Sequence, residues 1–168
     1  MESMKELEKL NNYIEHFHSE LGLYVVIDRQ ALHFAFDLCK GSDKLEIGGV
    51  ITGFYSKYGT TCHVRCFHPP TSDSKRGTHL FENGILGLAE KLKSLWQKQE
   101  YYLGEWHYHP HSSPSPSLQD KAQLKEISSS RSSKCKFPLM LIVGENTDGN
   151  FCYSLTGYNS KDKYISFK

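Results

Sequence analysis

Apolar positions along this chain recur on two periods, and each switch between them marks an element. Leu7, Leu10, Ile14, Phe17 and Leu21 repeat every three or four residues and predict an amphipathic N-terminal helix over 4–20. Its two-sided character favours core packing over a partner site. Leu23 to Ile27 then reads as a short strand. Over 29–40, Leu32, Ala35, Phe36 and Cys39 share one helical face, with Gly41 as the C-terminal cap. Strands follow over 46–55 and 61–67, and Pro69 to Gly77 is a loop by composition.

From Glu82 to Gln99, the residues Ile85, Leu88, Ala89, Leu92, Leu95 and Trp96 outline another amphipathic helix. Tyr101 to Trp106 forms a strand that runs straight into two histidines. A proline-punctuated loop over 111–116 leads to a helix from Ser117 to about Ser129. A polar stretch, 128–134, precedes a buried strand over 138–144, and Asn146 to Gly149 turns the chain into a hairpin strand over 151–157. Alternating strands and helices without repeats predict an α/β fold: a mixed β-sheet flanked by helices on both faces.

The length of 168 residues supports one domain spanning 1–168, with a sizeable core. A net charge of +1, with 38% apolar and 23% charged residues, gives no reason to expect nucleic acid as a partner and no acidic excess pointing to disorder. The longest apolar run, Pro138 to Val143, is far too short to span a bilayer, so no membrane association is expected. Met1 to Leu7 has no signal core, and the five cysteines (39, 62, 66, 135 and 152) contain no C-x-x-C pair. A cytoplasmic location with reduced thiols is the expectation.

The chemistry concentrates in His107-Tyr108-His109-Pro110, followed by Ser117 and Asp120: H-x-H-P-x6-S-x-x-D. Side chains two apart at a strand end point to the same side, so His107 and His109 can reach one ion. Asp120, in a first helical turn, can return its carboxylate to the same point. Two imidazoles and a carboxylate form the ligand set of a catalytic zinc site with one open position. Ser117 and Asp120 also read as a capping box, a role compatible with ligation because it would hold Asp120 rigidly. Hydrolysis needs a proton acceptor, and Glu46 is the candidate. It opens a strand whose Gly48 and Gly49 permit close approach of another backbone or a substrate.

Leu45-Glu46-Ile47-Gly48-Gly49, together with that histidine–serine–aspartate pattern, resembles the signature of the JAB/JAMM (MPN+) zinc metalloproteases. Gly104-Glu-Trp-His-Tyr-His-Pro110, Ser113-Pro-Ser-Pro-Ser117 and Pro69-Pro-Thr-Ser-Asp73 are similar to its bacterial branch, often encoded beside E1-like and E2-like enzymes in antiphage-defence operons. The resemblance covers roughly 20–157, leaving the helix over 4–20 outside the matched core. It implies a cytidine-deaminase-like JAB/MPN core and cleavage of the bond after the C-terminal residue of a ubiquitin-like modifier or a conjugated antiphage signalling enzyme. It further implies one Zn2+ per chain on His107, His109 and Asp120, with Glu46 as general base. Ser117 would steady the developing oxyanion. Tyr108 stands where many members carry serine or threonine. Pointing away from the metal side, it is expected to affect packing or substrate contact.

Competing readings are a processing peptidase for a ubiquitin-like or sulfur-carrier precursor, and a metal-free binding scaffold, which would lack ligands that are all present here. Cys62-His63-Val64-Arg65-Cys66 with His68 is a second metal candidate, but Cys62, Val64 and Cys66 on one strand face read better as core. His109-x-His111 loses the serine and aspartate offsets. Lys75 and Arg76 can contact a modifier's tail, although a solvated loop is the simpler reading.

Overall fold

The computed structural model describes residues 12–56, 58–130, 135, 137–159 and 163–167. In chain order its elements are β1 (Tyr13–His18), β2 (Leu23–Asp28), α1 (Arg29–Lys40), β3 (Ile47–Tyr55), β4 (Thr61–Phe67), β5 (Lys75–Arg76), β6 (Phe81–Glu82), α2 (Leu88–Gln97), β7 (Tyr101–Tyr108), α3 (Leu118–Ser129), β8 (Leu139–Glu145), β9 (Phe151–Asn159) and β10 (Lys163–Ser166). Eight strands form one mixed sheet in the order β1-β2-β4-β3-β7-β8-β9-β10, and β5 pairs with β6 as a separate hairpin. Among these ladders only β2–β4 and β7–β8 are parallel. The β7–β8 pair is joined through α3, the connection length a parallel pair requires.

Each buried face follows from residue alternation. Leu139, Leu141 and Val143 of β8 join the main core beneath α1, which contributes Leu32, Ala35 and Cys39. Met140 and Ile142 face the other way and pack with Leu124 of α3 and Tyr158 of β9. Both faces of β8 are therefore covered, which is why its sequence is continuously apolar over 139–143. The sheet curls far enough for His16 Nε2 on β1 to hydrogen-bond the hydroxyl of Tyr153 on β9, at 2.9 Å. Among the described residues, no helix is long and apolar enough to cross a membrane.

Bulges decide which side chains reach which face. The ladder between β3 and β4 shifts at Thr52/Gly53, pairing Gly53 with Val64 and Thr52 with Cys66, so Arg65 is the extra residue. Cys62 and Val64 stay in the core, whereas Cys66 turns to the opposite face beside His68, its Sγ 3.7 Å from Nδ1. This corrects the expectation that Cys62, Val64 and Cys66 share a face. A second shift, at Ile51/Thr52, makes Leu103 the extra residue on β7. Beyond it Trp106 and Tyr108 enter the core, and His107 points toward α3.

Several boundaries also depart from the periodicity. The helix expected over 4–20 falls partly on residues 1–11, outside the described residues, but 13–18 form β1, paired antiparallel with β2. The helix expected over 82–99 begins only at Leu88. Phe81 and Glu82 pair with the 75–76 strand instead, and the Asp73 carboxylate accepts the amides of Ile85 (2.9 Å) and Leu86 (3.1 Å). Those amides are held by a side chain before any helical turn can claim them. None of the α2 side chains is fully buried; Trp96 is 57% exposed, and Ile85 just before the helix 80%. β9 runs on to Asn159, and β10 is a further strand beyond it.

Candidate metal centre

Three donors converge where β7 ends and α3 begins. His107 is the penultimate residue of β7, and His109 continues its line, its amide held by Val143 O at 2.9 Å. Ser117 is the N-cap of α3: its Oγ accepts the Asp120 amide at 3.1 Å, and Asp120 Oδ2 accepts the Ser117 amide at 2.6 Å. This reciprocal capping box fixes the Asp120 rotamer and satisfies two otherwise unpaired helix-start amides. Asp120 Oδ1 lies 3.1 Å from His107 Nε2, and Oδ2 lies 3.6 Å from His109 Nε2. The three prospective ligand atoms all fall within 4.8 Å of one another.

The electrostatics favour a cation. Burial pushes the Asp120 carboxyl upward, but the His107 contact and the bonds from Ser117 outweigh it and hold the group well below the usual carboxylate range. Burial lowers His109, as does the neighbouring His107, so its ring is neutral and able to ligate at physiological pH. His107 Nε2 is buried and close to a carboxylate oxygen, yet it lacks a hydrogen-bond partner. An orphaned buried ring nitrogen facing a carboxylate fits a metal between them, since such a nitrogen is otherwise costly. The residues present therefore suit a divalent ion.

His109 and Asp120 of the trio open onto a cleft of about 540 Å³, also lined by Glu46, His79, Leu80, Phe81, Ser117 and Leu118 among others. Glu46 immediately precedes β3, and β3 pairs Gly48 with His107. The same pairing that builds the sheet thus carries Glu46 to the cleft. Burial raises its carboxyl pKa, and His107 and Asp120 are near enough to act on it in opposite directions. All five residues singled out in the sequence therefore meet in one place. His111 does not join the trio; its Nδ1 lies 3.3 Å from Glu145 Oε2. Tyr108 points to the core face, as expected, and its hydroxyl donates to Glu145.

Arg76 was missed as a structural residue. Its Nε donates to Glu46 O at 3.2 Å and a terminal nitrogen to Ser42 O at 3.0 Å, so this exposed residue, solvated as expected, is also engaged with the main chain. The partners are carbonyls, which leave no signature in a sequence. Cys62 and Cys135 remain buried thiols, and burial pushes them up to about 12 and about 11.

The architecture has a counterpart in the solution structure of protein DSY2949 from Desulfitobacterium hafniense. The TM-score is 0.62 at 13% identity, covering 83% of this chain and 87% of that one, a likeness of fold alone. The family model described as prokaryotic homologs of the JAB domain matches residues 30–155, a span that includes Glu46, both histidines, Ser117 and Asp120. The chain belongs to this family of prokaryotic JAB-domain proteins. It is 32% identical over 139 residues to a CD-NTase/cGAS isopeptidase of Enterobacter hormaechei, covering 82% of this chain and 77% of that protein. A CD-NTase/cGAS isopeptidase of Pseudomonas aeruginosa is 34% identical over 104 residues, or 60% of this chain and 64% of its own length. Family and relatives alike support a hydrolase.

Proposed function

We propose that this chain is a zinc-dependent isopeptidase that reverses protein conjugation. Its substrate would be a CD-NTase-class signalling protein joined through its C-terminal residue to an amine of another protein. E1-like and E2-like enzymes would form that conjugate in the cytoplasm. The observation that carries the reading is the convergence of His107, His109 and Asp120, with an orphaned Nε2, beside the half-buried Glu46 in one cleft. The isopeptidase relatives support the substrate class.

His107 Nε2, His109 Nε2 and an Asp120 oxygen would hold one zinc ion per chain, a donor set suited to that metal. Bound there, the ion would acidify a water molecule and polarise the scissile carbonyl. Glu46 takes a proton from the attacking water on a carboxylate oxygen and returns it to the departing amine nitrogen. Ser117 donates its hydroxyl to the carbonyl oxygen as negative charge builds there. Water adds and the amide C–N bond breaks, so the products are a free C-terminal carboxylate and a free amine. Because no acyl-enzyme forms, the buried thiols have no part in the chemistry.

The test uses a CD-NTase C-terminal peptide linked to a lysine Nε, alongside a linear fusion of the same tail and a ubiquitin-like conjugate. Metal content is measured on the same preparations. Cleavage of the CD-NTase isopeptide by metal-loaded protein is the expected result. Cleavage of the linear fusion alone would mean precursor processing, and cleavage of the ubiquitin-like conjugate alone would move the substrate class. No cleavage and no bound metal at neutral pH would leave a scaffold.

A further inference from the structure

The turn that delivers Glu46 is not a relaxed one. Asp43 and Lys44 are consecutive non-glycine residues with φ of 54° and 65°, in the left-handed region. Side chains with a Cβ occupy that region at an energetic cost and persist there only when their surroundings dictate it. Within the turn, Leu45 N bonds Ser42 O at 3.1 Å and Ser42 N bonds Cys39 O at 3.1 Å. These local bonds close the turn, but they do not set how Glu46 leaves it.

That direction is set by the β5–β6 hairpin. Glu46 N–H donates to Gly77 O at 2.8 Å, and Glu46 O accepts Arg76 Nε at 3.2 Å. Both main-chain polar groups of Glu46 are thus tied to neighbouring residues of one hairpin. A second arm of the same guanidinium reaches Ser42 O at 3.0 Å, so one planar group spans the start and the end of the strained turn. Across the hairpin, Arg76 pairs with Phe81, which is buried at Gly48; a Cβ there would lie 2.7 Å from the Phe81 ring. Phe81 therefore seats the hairpin on β3, and Arg76 fastens the turn to the seated hairpin.

We infer that Arg76 is a positioning residue for the reaction. It holds the Ser42–Leu45 turn and the Glu46 main chain so that the Glu46 carboxylate faces the His107–His109–Asp120 trio. The inference rests on the general-base role proposed for Glu46. A lysine cannot replace it fully, because its ammonium is a point donor and lacks the planar fork that spans two separated carbonyls. The role also differs from tail binding, which would change substrate affinity in place of turnover.

Arg76→Ala, Arg76→Lys, Glu46→Gln and the double variant are compared in metal-loaded protein on the isopeptide substrate, with thermal midpoint and metal stoichiometry recorded. For Arg76→Ala the expected result is a kcat lower by about 10–100-fold with KM within about twofold and metal content unchanged. Arg76→Lys should recover part of the loss, and millimolar guanidinium should raise kcat of Arg76→Ala but not of wild type. On the Glu46→Gln background, removing Arg76 should cost little more, because the group it positions is already disabled. A raised KM at unchanged kcat, no kcat effect, or a full additional loss on the Glu46→Gln background would overturn the inference. Inactive Glu46→Gln beside a wild-type-like Arg76→Ala sinks this inference alone. Fully active Glu46→Gln sinks the general-base reading as well.

Discussion

Asp120 serves two neighbours at once, and mutation can separate the two uses. Its Oδ2 caps the Ser117 amide while both oxygens face the histidine rings. Asp120→Asn keeps the cap but removes the charge, so metal content should fall while the helix remains, as atomic absorption beside circular dichroism would record. Ser117→Ala removes the hydroxyl that bonds the Asp120 amide, at about 1 kcal/mol of stability. It should also cost ~10²–10³ in kcat if the hydroxyl stabilises the oxyanion. Thermal unfolding and steady-state kinetics on one preparation would tell these losses apart. These residues were legible because His107, His109, Ser117 and Asp120 lie within one short span whose offsets match a strand end and a helix start. Arg76 was legible only as a charge, because main-chain carbonyls carry no side-chain code.

At the scale of elements, the helix over 29–40 and the buried strand over 138–144 were readable because periodicity and burial agreed. Asp28 caps α1 by accepting the amides of Gln30 and Ala31, and Leu32, Ala35 and Cys39 go inward. The stretch over 13–18 misled because Ile14 and Phe17 fit a helical spacing while every second residue fits a strand; pairing with β2 decides it. Bulges were invisible, since one extra residue leaves composition unchanged. Gly104 sits beside the β7 bulge with φ of 145°, and a Cβ there would fall 1.8 Å from Leu139 O. Gly104→Ala should therefore destabilise the fold by about 3 kcal/mol or more, through backbone strain and a broken approach of β8. Because β7 ends in the proposed metal donors, its surviving folded fraction should also bind metal less tightly, measurable by competition with a chelating dye.

For the molecule as a whole, the curled sheet gathers Glu46 and segments from 78–81, 109–115 and 117–123 around one cleft, a convergence no local pattern can announce. It also buries His68, whose Nε2 is 2.8 Å from Thr52 Oγ1 and whose ring is pushed down to about 4, chiefly by burial. The unfolded chain takes up this proton near 6.5. The stabilisation is thus fully present above about pH 6.5 and is lost as pH falls toward 4. Between pH 7 and 5 it should amount to roughly 2 kcal/mol, and melting curves of His68→Gln should show a shallower acid slope than wild type. Extracting the proposed zinc ion with a chelator should lower the melting temperature by mass action while leaving the far-ultraviolet spectrum intact. The reciprocal Ser117–Asp120 pair gives the reason: the helix cap, not an ion, holds the Asp120 carboxylate in place. Little ordering remains to be done on capture, so stripped protein should recharge within the mixing time, with no refolding phase.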